Sequence, residues 1–172
     1  MAAETKAPTK ARRFNLRANP LGLLGGFSNL AFDVGVMDDF TIGPSYSRVN
    51  ISFADTTISG QGFGIRGNSF LYGPRLAGDW YFGPSVSRYA IDATHVRSGQ
   101  TGSTSVKVTS FEGIVGYQWM WEHFNVNTGA GLTYLSLDAP IVFTYPNGQT
   151  EKLEEFKSGT FVTLELSLGW AF

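Results

Sequence analysis

The C-terminal segment of the chain alternates strictly between apolar and polar side chains. Residues 162–172 read VTLELSLGWAF, so valine, leucine, tryptophan and phenylalanine occupy every second position. In an extended strand successive side chains point to opposite faces, which gives this segment one continuous apolar face and one face of small or polar residues. The segment therefore predicts a β-strand that has an apolar environment on one side only.

The same period of two recurs between turn signals along the rest of the chain. It predicts about eight strands, at 13–24, 29–36, 40–47, 62–72, 79–91, 111–121, 124–134 and 162–172. The connections after strands two, four and six are short. Those after strands three, five and seven are long and span 48–61, 93–104 and 138–158. Short and long connections on opposite sides of a sheet are typical of bacterial transmembrane barrels.

The composition agrees with a barrel that turns every second strand residue to lipid. The chain has 172 residues, the size of one domain, and only 42% of them are hydrophobic. No apolar stretch reaches the length of about 18 residues that a membrane helix needs. Glycine, at 21 residues, and aromatics, at 15%, suit a narrow lumen and interfacial belts. The net charge of -1 argues against nucleic acid as a partner.

An amphipathic last strand that ends on an aromatic residue resembles the C-terminal signature of Gram-negative outer-membrane β-barrels, and the strand number resembles the small OmpA/OmpX class. The resemblance implies an all-β, eight-stranded antiparallel up-and-down transmembrane β-barrel in the bacterial outer membrane, with both termini periplasmic. It also implies that the barrel assembly machinery reads the last strand. A lipocalin-like soluble barrel is the alternative fold, but its apolar face would have to point inward.

The first residues are polar and contain no apolar signal segment. We therefore expect residues 1–12 to be a flexible periplasmic tail of a mature chain, and residues 13–172 to be a single barrel domain. Six aromatic residues fall at the periplasmic ends of the predicted strands and predict an aromatic girdle at that membrane interface. They are Trp80, Trp119, Trp121, Phe124, Trp170 and Phe172.

Five charged residues lie on the polar faces of the strands and would point into the lumen: Arg17, Asp33, Arg66, Glu112 and Glu165. Charges in a narrow lumen are tolerated only when they are paired, and eight strands leave an interior that side chains fill. We expect a plug of salt bridges in a polar lumen, in which Glu165 pairs with Arg17 and Arg66. The alternative is a small gated channel.

The alternation of strand five drifts in its upper half, where Tyr89 and Ile91 fall on the inward face. The drift predicts either a β-bulge or the point at which the strand leaves the membrane.

Arg48 and Arg88 stand about 23 Å above the periplasmic strand ends, at roughly 3.4 Å per residue and a tilt of about 40°. If they point outward, they are candidates for contact with lipopolysaccharide phosphates; otherwise they are solvated charges at the loop bases. In the last connection, Asn147-Gly148 is a favoured two-residue hairpin turn, so we expect strands seven and eight to continue outside the membrane as a hairpin. Its edges could capture a surface protein, or its aromatic residues could pack on the hairpin itself.

Some small outer-membrane barrels modify lipid A with a histidine, a serine and an acidic residue near the outer leaflet. His95, beside Asp92, Thr94 and Ser98, is the catalytic candidate on that side, whereas His123 is explained as a polar residue in a periplasmic turn. The His-Ser-Asn run of lipid A deacylases is missing, and no metal-ligand spacing, phosphate loop or cysteine nucleophile occurs. We therefore expect no cofactor and no metal. The sequence favours a structural and surface-interaction role in contact with outer-membrane lipids and lipopolysaccharide, with a lipid A-modifying enzyme or a gated channel as the alternatives.

Overall fold

The structure, a computed structural model, describes residues 12–20, 22, 25–153 and 157–172. These residues form a ten-stranded antiparallel sheet. Its strands are β1 (Phe14–Ala18), β2 (Phe27–Met37), β3 (Phe40–Phe53), β4 (Thr56–Phe70), β5 (Trp80–Arg97), β6 (Gln100–Trp121), β7 (Phe124–Leu137), β8 (Val142–Thr144), β9 (Thr150–Lys152) and β10 (Gly159–Ala171). Within the described part of the chain, no helix has the length and the apolar character that a membrane span requires.

The strand pairings run in a closed cycle. Each of β1 to β6 pairs with the next strand along the chain, β7 pairs with β10, and β10 pairs with β1. The remaining strands form a small hairpin, because β8 pairs with β6 and β9 pairs with β8. The sheet thus has ten strands instead of the eight predicted, and both additional strands lie in the last long connection.

Alternate side chains along the cycle point to opposite faces, as the period of two predicts. One face carries the exposed hydrophobic residues and the other is buried. On β6, for example, Val115 is 52% exposed while its neighbour Ile114 is 2% exposed. Because most of the strands are paired on both sides, the inward face is shielded by the strands opposite it.

The first predicted strand is too long. β1 ends at Ala18, and the Asn19 side chain accepts a hydrogen bond from the Gly22 amide at 3.0 Å. Asparagine followed by proline favours the start of a helical turn, because the asparagine side chain caps the turn and Pro20 has no amide to lose. The predicted strand residues 21, 23 and 24 lie outside the described residues, as does the predicted tail except for residue 12.

Two of the predicted long loops are instead strand extensions. β3 continues to Phe53 and β4 begins at Thr56, so residues 48–61 are mostly ladder. Likewise, β5 and β6 continue through 93–104 and are joined by Ser98-Gly99, whose φ angles of 51° and 79° suit a tight hairpin turn. Threonine and valine occur in both segments, and isoleucine in the first; these residues favour extended backbone even where the strands are polar.

The predicted bulge on β5 is wrong. β5 pairs with β6 without a register shift from Trp80 to Arg97. Tyr89 and Ile91 therefore continue the alternation of the strand and point into the lumen, on the same face as its polar residues. They are hydrophobic because the lumen itself becomes apolar at that height, where Ala93, Val106 and Val108 are also buried.

The hairpin in the last connection exists, but it does not continue β7 and β10. β8 pairs with β6 through Thr144 and Ser103, and its turn is not the predicted two-residue one. The Gly148 amide donates to the Tyr145 carbonyl at 2.9 Å, and Gly148 has a φ of 82°. Residues 145–148 thus form a four-residue turn that ends on the left-handed Gly148, and Pro146 takes the second position, which proline favours. The hairpin folds back because Ile141, Phe143 and Tyr145 become buried against β5 and β6.

Candidate functional site

A layer of four charged side chains crosses the lumen. Arg17 donates to Asp33 through Nε at 2.7 Å and Nη2 at 2.9 Å, and to Glu165 through Nη1 at 3.1 Å. Arg66 donates to Glu165 from the opposite side of the lumen, through Nη1 at 2.9 Å and Nη2 at 2.6 Å. Two positive and two negative groups balance, and each arginine forms a bidentate pair with one carboxylate, the strongest common geometry for such pairs.

The strand register explains how these residues meet. β1 is bonded to β2 on one side and to β10 on the other, which puts Arg17 between Asp33 and Glu165. Arg66 lies on β4, which has no ladder with β10, so its pair with Glu165 spans the lumen. Glycine makes the room: a Cβ at Gly83 would stand 2.8 Å from Arg66 Nη2, and one at Gly169 would stand 2.8 Å from Arg17 Cγ.

A ladder of amides extends the charged layer toward the end of the sheet where β5 begins and β10 ends. Asn15 donates to Asp33 at 3.1 Å and accepts from Asn125 at 2.8 Å; Asn125 in turn accepts from Asn127 at 2.9 Å. Gln118 donates to Asn127 at 2.8 Å. The sequence predicts inward faces for all of these residues. An amide is uncharged, however, so its partner cannot be identified by opposite charge, and the ladder could not be predicted.

Two further contacts of the charged layer were missed. Tyr81 donates its hydroxyl to Glu165 at 2.8 Å, and Asn68 accepts from Arg66 Nε at 2.9 Å. Tyr81 also belongs to a buried apolar cluster at the same end of the lumen, together with Leu76 and Ile114. Leu76 comes from the connection between β4 and β5, where the sequence shows only a turn. This cluster closes the lumen beneath the charges.

Glu112, the fifth predicted member, does not join the ion pairs. It accepts hydrogen bonds from Ser85 and Thr133, each at 3.2 Å. Among the described residues, no cation forms an ion pair with it. A polar cavity of about 90 Å³ separates it from the charged layer and is lined by Arg17, Arg66 and Glu165 as well.

The six predicted girdle residues all lie at the end of the sheet where β5 begins and β6 and β10 end. They point outward and are between 39% and 55% exposed. Tyr117 joins them, with its ring 5.5 Å from Trp80 and 4.9 Å from Trp119. Phe14 lies 5.8 Å from Phe172 on the same rim.

The fold has a counterpart among solved structures. The chain is similar to the N-terminal β-barrel domain of OprF from Pseudomonas aeruginosa, with a TM-score of 0.55 and 14% sequence identity, over 94% of this chain and 98% of that one. The chain therefore shares the fold of this β-barrel domain. No protein-family model matches the chain, and no curated protein matches it in sequence. At this level of identity the likeness shows the fold alone.

The two arginines proposed for lipopolysaccharide differ in their surroundings. Both point outward, with one strand between them, since Arg48 pairs with Gln61 and Arg88 with Phe63 across β4. The Arg88 guanidinium is held by Asp138, at 2.9 Å from Nη1 to Oδ1, and it also contacts Thr109. Among the ion pairs of the described residues, none includes Arg48.

Within the described part of the chain, His95 does not form a hydrogen bond with Asp92, the acidic residue beside it in the sequence. Its Nδ1 lies 2.9 Å from Thr56 Oγ1, and its ring faces Phe143 at 5.6 Å. His95 points inward, whereas Asp92 points outward and binds Ser105. An acid that orients a histidine has to share its face, so the predicted pairing of these two residues is not formed. His123 stacks on Trp170 at 5.4 Å, as part of the rim.

Proposed function

We propose that this protein is an integral outer-membrane protein, an eight-stranded transmembrane β-barrel whose lumen is closed by a charge layer and whose outer hairpins act at the cell surface. One observation carries the proposal. The closed cycle of strands turns its hydrophobic side chains outward and keeps a neutral, fully paired ion cluster inside.

The outward face supports a lipid environment. Phe63, Val162 and Leu164 are between 66% and 77% exposed, and they belong to a band of hydrophobic residues that continues around the cycle. Contiguous apolar surface on this scale is rare in soluble monomers, whereas the outer band of a membrane barrel is built in this way. The aromatic rim at one end of the band supports placement of that end at a membrane interface.

The inward face supports a closed lumen in preference to a gated channel. The pair between Arg66 and Glu165 crosses the lumen, and the Leu76 cluster lies beneath it. An ion that passed through would have to displace a bidentate pair in a narrow interior, where unpaired charge is costly. We therefore expect a scaffold that presents its outer hairpins.

Two measurements test this assignment. The protein folded in detergent should show a heat-dependent shift in gel mobility and should require lipid or detergent to stay in solution. In planar bilayers it should give no steady conductance steps. Solubility without detergent would refute the membrane assignment, and regular channel openings by the unaltered protein would refute the closed lumen.

We further propose that Arg48 contacts lipopolysaccharide phosphate. It is exposed on the outer face, whereas Asp138 occupies the guanidinium of Arg88. Arg48→Gln should therefore lower the amount of lipopolysaccharide that co-purifies, and Arg88→Gln serves as the matched control with a smaller effect. An equal amount of bound lipopolysaccharide in both variants and the wild type would rule out the contact.

We also propose that the β8–β9 hairpin is the part that meets a surface protein. β9 is the last strand in the sheet order, so in the described structure its outer edge faces no strand. Such an edge can take up a strand from a partner. Replacing Glu151, which faces Phe143 across the hairpin, with proline should abolish partner capture on whole cells while leaving the barrel folded.

A further inference from the structure

The outer half of the lumen is an apolar chamber. It has a volume of about 680 Å³, and its walls include Ile58, Ile91, Val106, Val108 and Leu135. The β8–β9 hairpin roofs it with Phe143, and Glu112 and Thr133 lie at its floor. The volume falls in the range of about 300–1,000 Å³ that small-molecule sites occupy. Water beside these apolar walls would find few of the two to four polar partners that it needs, so an apolar occupant fits the walls better.

The chamber opens sideways at β10. β1 pairs with β10 only from Asn15 to Ala18, and among the described residues the part of β10 from 159 to 167 pairs with β7 alone. Phe161 and Thr163 face inward, whereas Val162 and Leu164 face outward, yet all four line the chamber. Side chains on both faces of one strand can line the same space only if that space passes around the strand edge.

The opening lies at the depth of a membrane's outer leaflet. At roughly 3.4 Å per residue and a tilt of about 40°, Leu164 and Phe161 stand about 16 and 23 Å above Trp170. The apolar band of such barrels is about 25 Å tall, so this height falls in its outer half. Val162 and Leu164 at the opening are each 77% exposed and continue the hydrophobic outer band.

We propose that the chamber takes the hydrocarbon chain of a lipid from the surrounding membrane, which enters through the opening beside β10. This inference rests on the membrane placement proposed above. The chain end points toward the floor and the headgroup stays outside. An anionic headgroup would otherwise meet the Glu112 carboxylate, which forms no ion pair in the described structure. A filled chamber also regains dispersion contacts that empty apolar walls would forgo.

Photolabelling tests the proposal. The protein is folded into vesicles of phosphatidylethanolamine that carries a diazirine at the end of one acyl chain, illuminated, digested and mapped by mass spectrometry. Labels should appear near the floor, on the inward residues Ser110, Thr133 and Leu135, as well as on outward residues such as Val115. Labels on outward residues alone would overturn the inference while leaving the membrane assignment intact. Loss of labels on both faces would count against the membrane assignment itself.

Matched variants sharpen the result. Val108→Trp fills the chamber and should reduce inward labelling at least fivefold, whereas Val115→Trp on the outer face of the same strand should leave it unchanged. Ala93→Phe is a second filling variant, used if Val108→Trp does not fold by the gel-mobility test. Inward labelling that survives both filling variants would refute the site. Labelling by an added diazirine fatty acid, without any from the phospholipid, would refute the membrane lipid as its source.

Discussion

Replacement of Glu165 by glutamine should strongly destabilise the barrel. The carboxylate of Glu165 accepts two hydrogen bonds from Arg66, at 2.9 and 2.6 Å, one from Arg17 at 3.1 Å and one from Tyr81 at 2.8 Å. Arg17 keeps Asp33 in the variant, but the charge of Arg66 is left without an ion-pair partner. Removing one member of a buried ion pair costs about 3–5 kcal/mol, so we expect the free energy of unfolding to fall by an amount in this range.

Glu112→Gln is the matched control, because it makes the same chemical change in the same lumen. Glu112 accepts hydrogen bonds only from two hydroxyls, at 3.2 Å each, and a glutamine oxygen can accept from both. A neutral hydrogen bond contributes about 0.5–1.5 kcal/mol, so this variant should lose about 1 kcal/mol or less. The difference between the variants should therefore be at least about 2 kcal/mol.

The measurement is urea unfolding in vesicles, followed by tryptophan fluorescence. The chain has four tryptophans, all in the girdle, so the fluorescence reports when the aromatic rim leaves the lipid. If Glu165→Gln costs no more than Glu112→Gln, the ion cluster does not stabilise the fold as argued. A double replacement, Arg66→Met with Glu165→Leu, should recover most of the loss, since well-packed apolar residues often replace buried pairs without cost.

Three further perturbations follow from the contacts. Gly169→Val should cost about 1–3 kcal/mol in the same unfolding assay, because its Cβ would crowd Arg17; an unchanged midpoint would contradict the packing. The hydrogen bond from Tyr145 and the ion pair with Arg97 of β5, at 3.1 Å, lower the pKa of Glu151. Because Arg97 lies on the barrel, hairpin docking is favoured above the ordinary glutamate pKa and weakens as pH falls through the lowered value. Hydrogen exchange should show this weakening in the wild type and not in Glu151→Gln. Val115→Arg should cost about 2–4 kcal/mol in vesicles if it faces mid-membrane lipid, and almost nothing if it faces water.

The strands and the ion pairs of Glu165 could be predicted because both depend on local pattern. The period of two follows from strand geometry, and few charges fall on the inward face, so opposite signs identify the partners. Arg17, Asp33, Arg66 and Glu165 indeed lie together. The strand ends could not be predicted in the same way, because polar residues that alternate with threonine and valine look like loop until their ladder partners are known.

The apolar parts of the lumen could not be predicted, because hydrophobicity does not say which face a residue takes. Ile91 points inward in the same phase as Ser85 below it, and only the unbroken ladder with β6 shows this. Leu76 lies in a turn and fills the end of the lumen beneath the charged layer. An alternation of period two describes strands only, so it could not indicate this position. Both departures from the pattern place apolar residues inside the lumen, one above and one below its polar middle part.

The layering along the lumen determines which way an apolar chain could move. The Leu76 cluster and the charged layer lie between the chamber and the end of the barrel that carries the aromatic rim, so a hydrocarbon chain could go further only by displacing the pair between Arg66 and Glu165. That step would leave two charges unpaired in an apolar surrounding, at a cost of several kcal/mol. The proposed chamber is therefore a pocket with one opening toward the outer leaflet, and not a conduit across the membrane. Accordingly, Glu165→Gln should leave the labelling of Leu135 by lipid unchanged as long as the variant is folded.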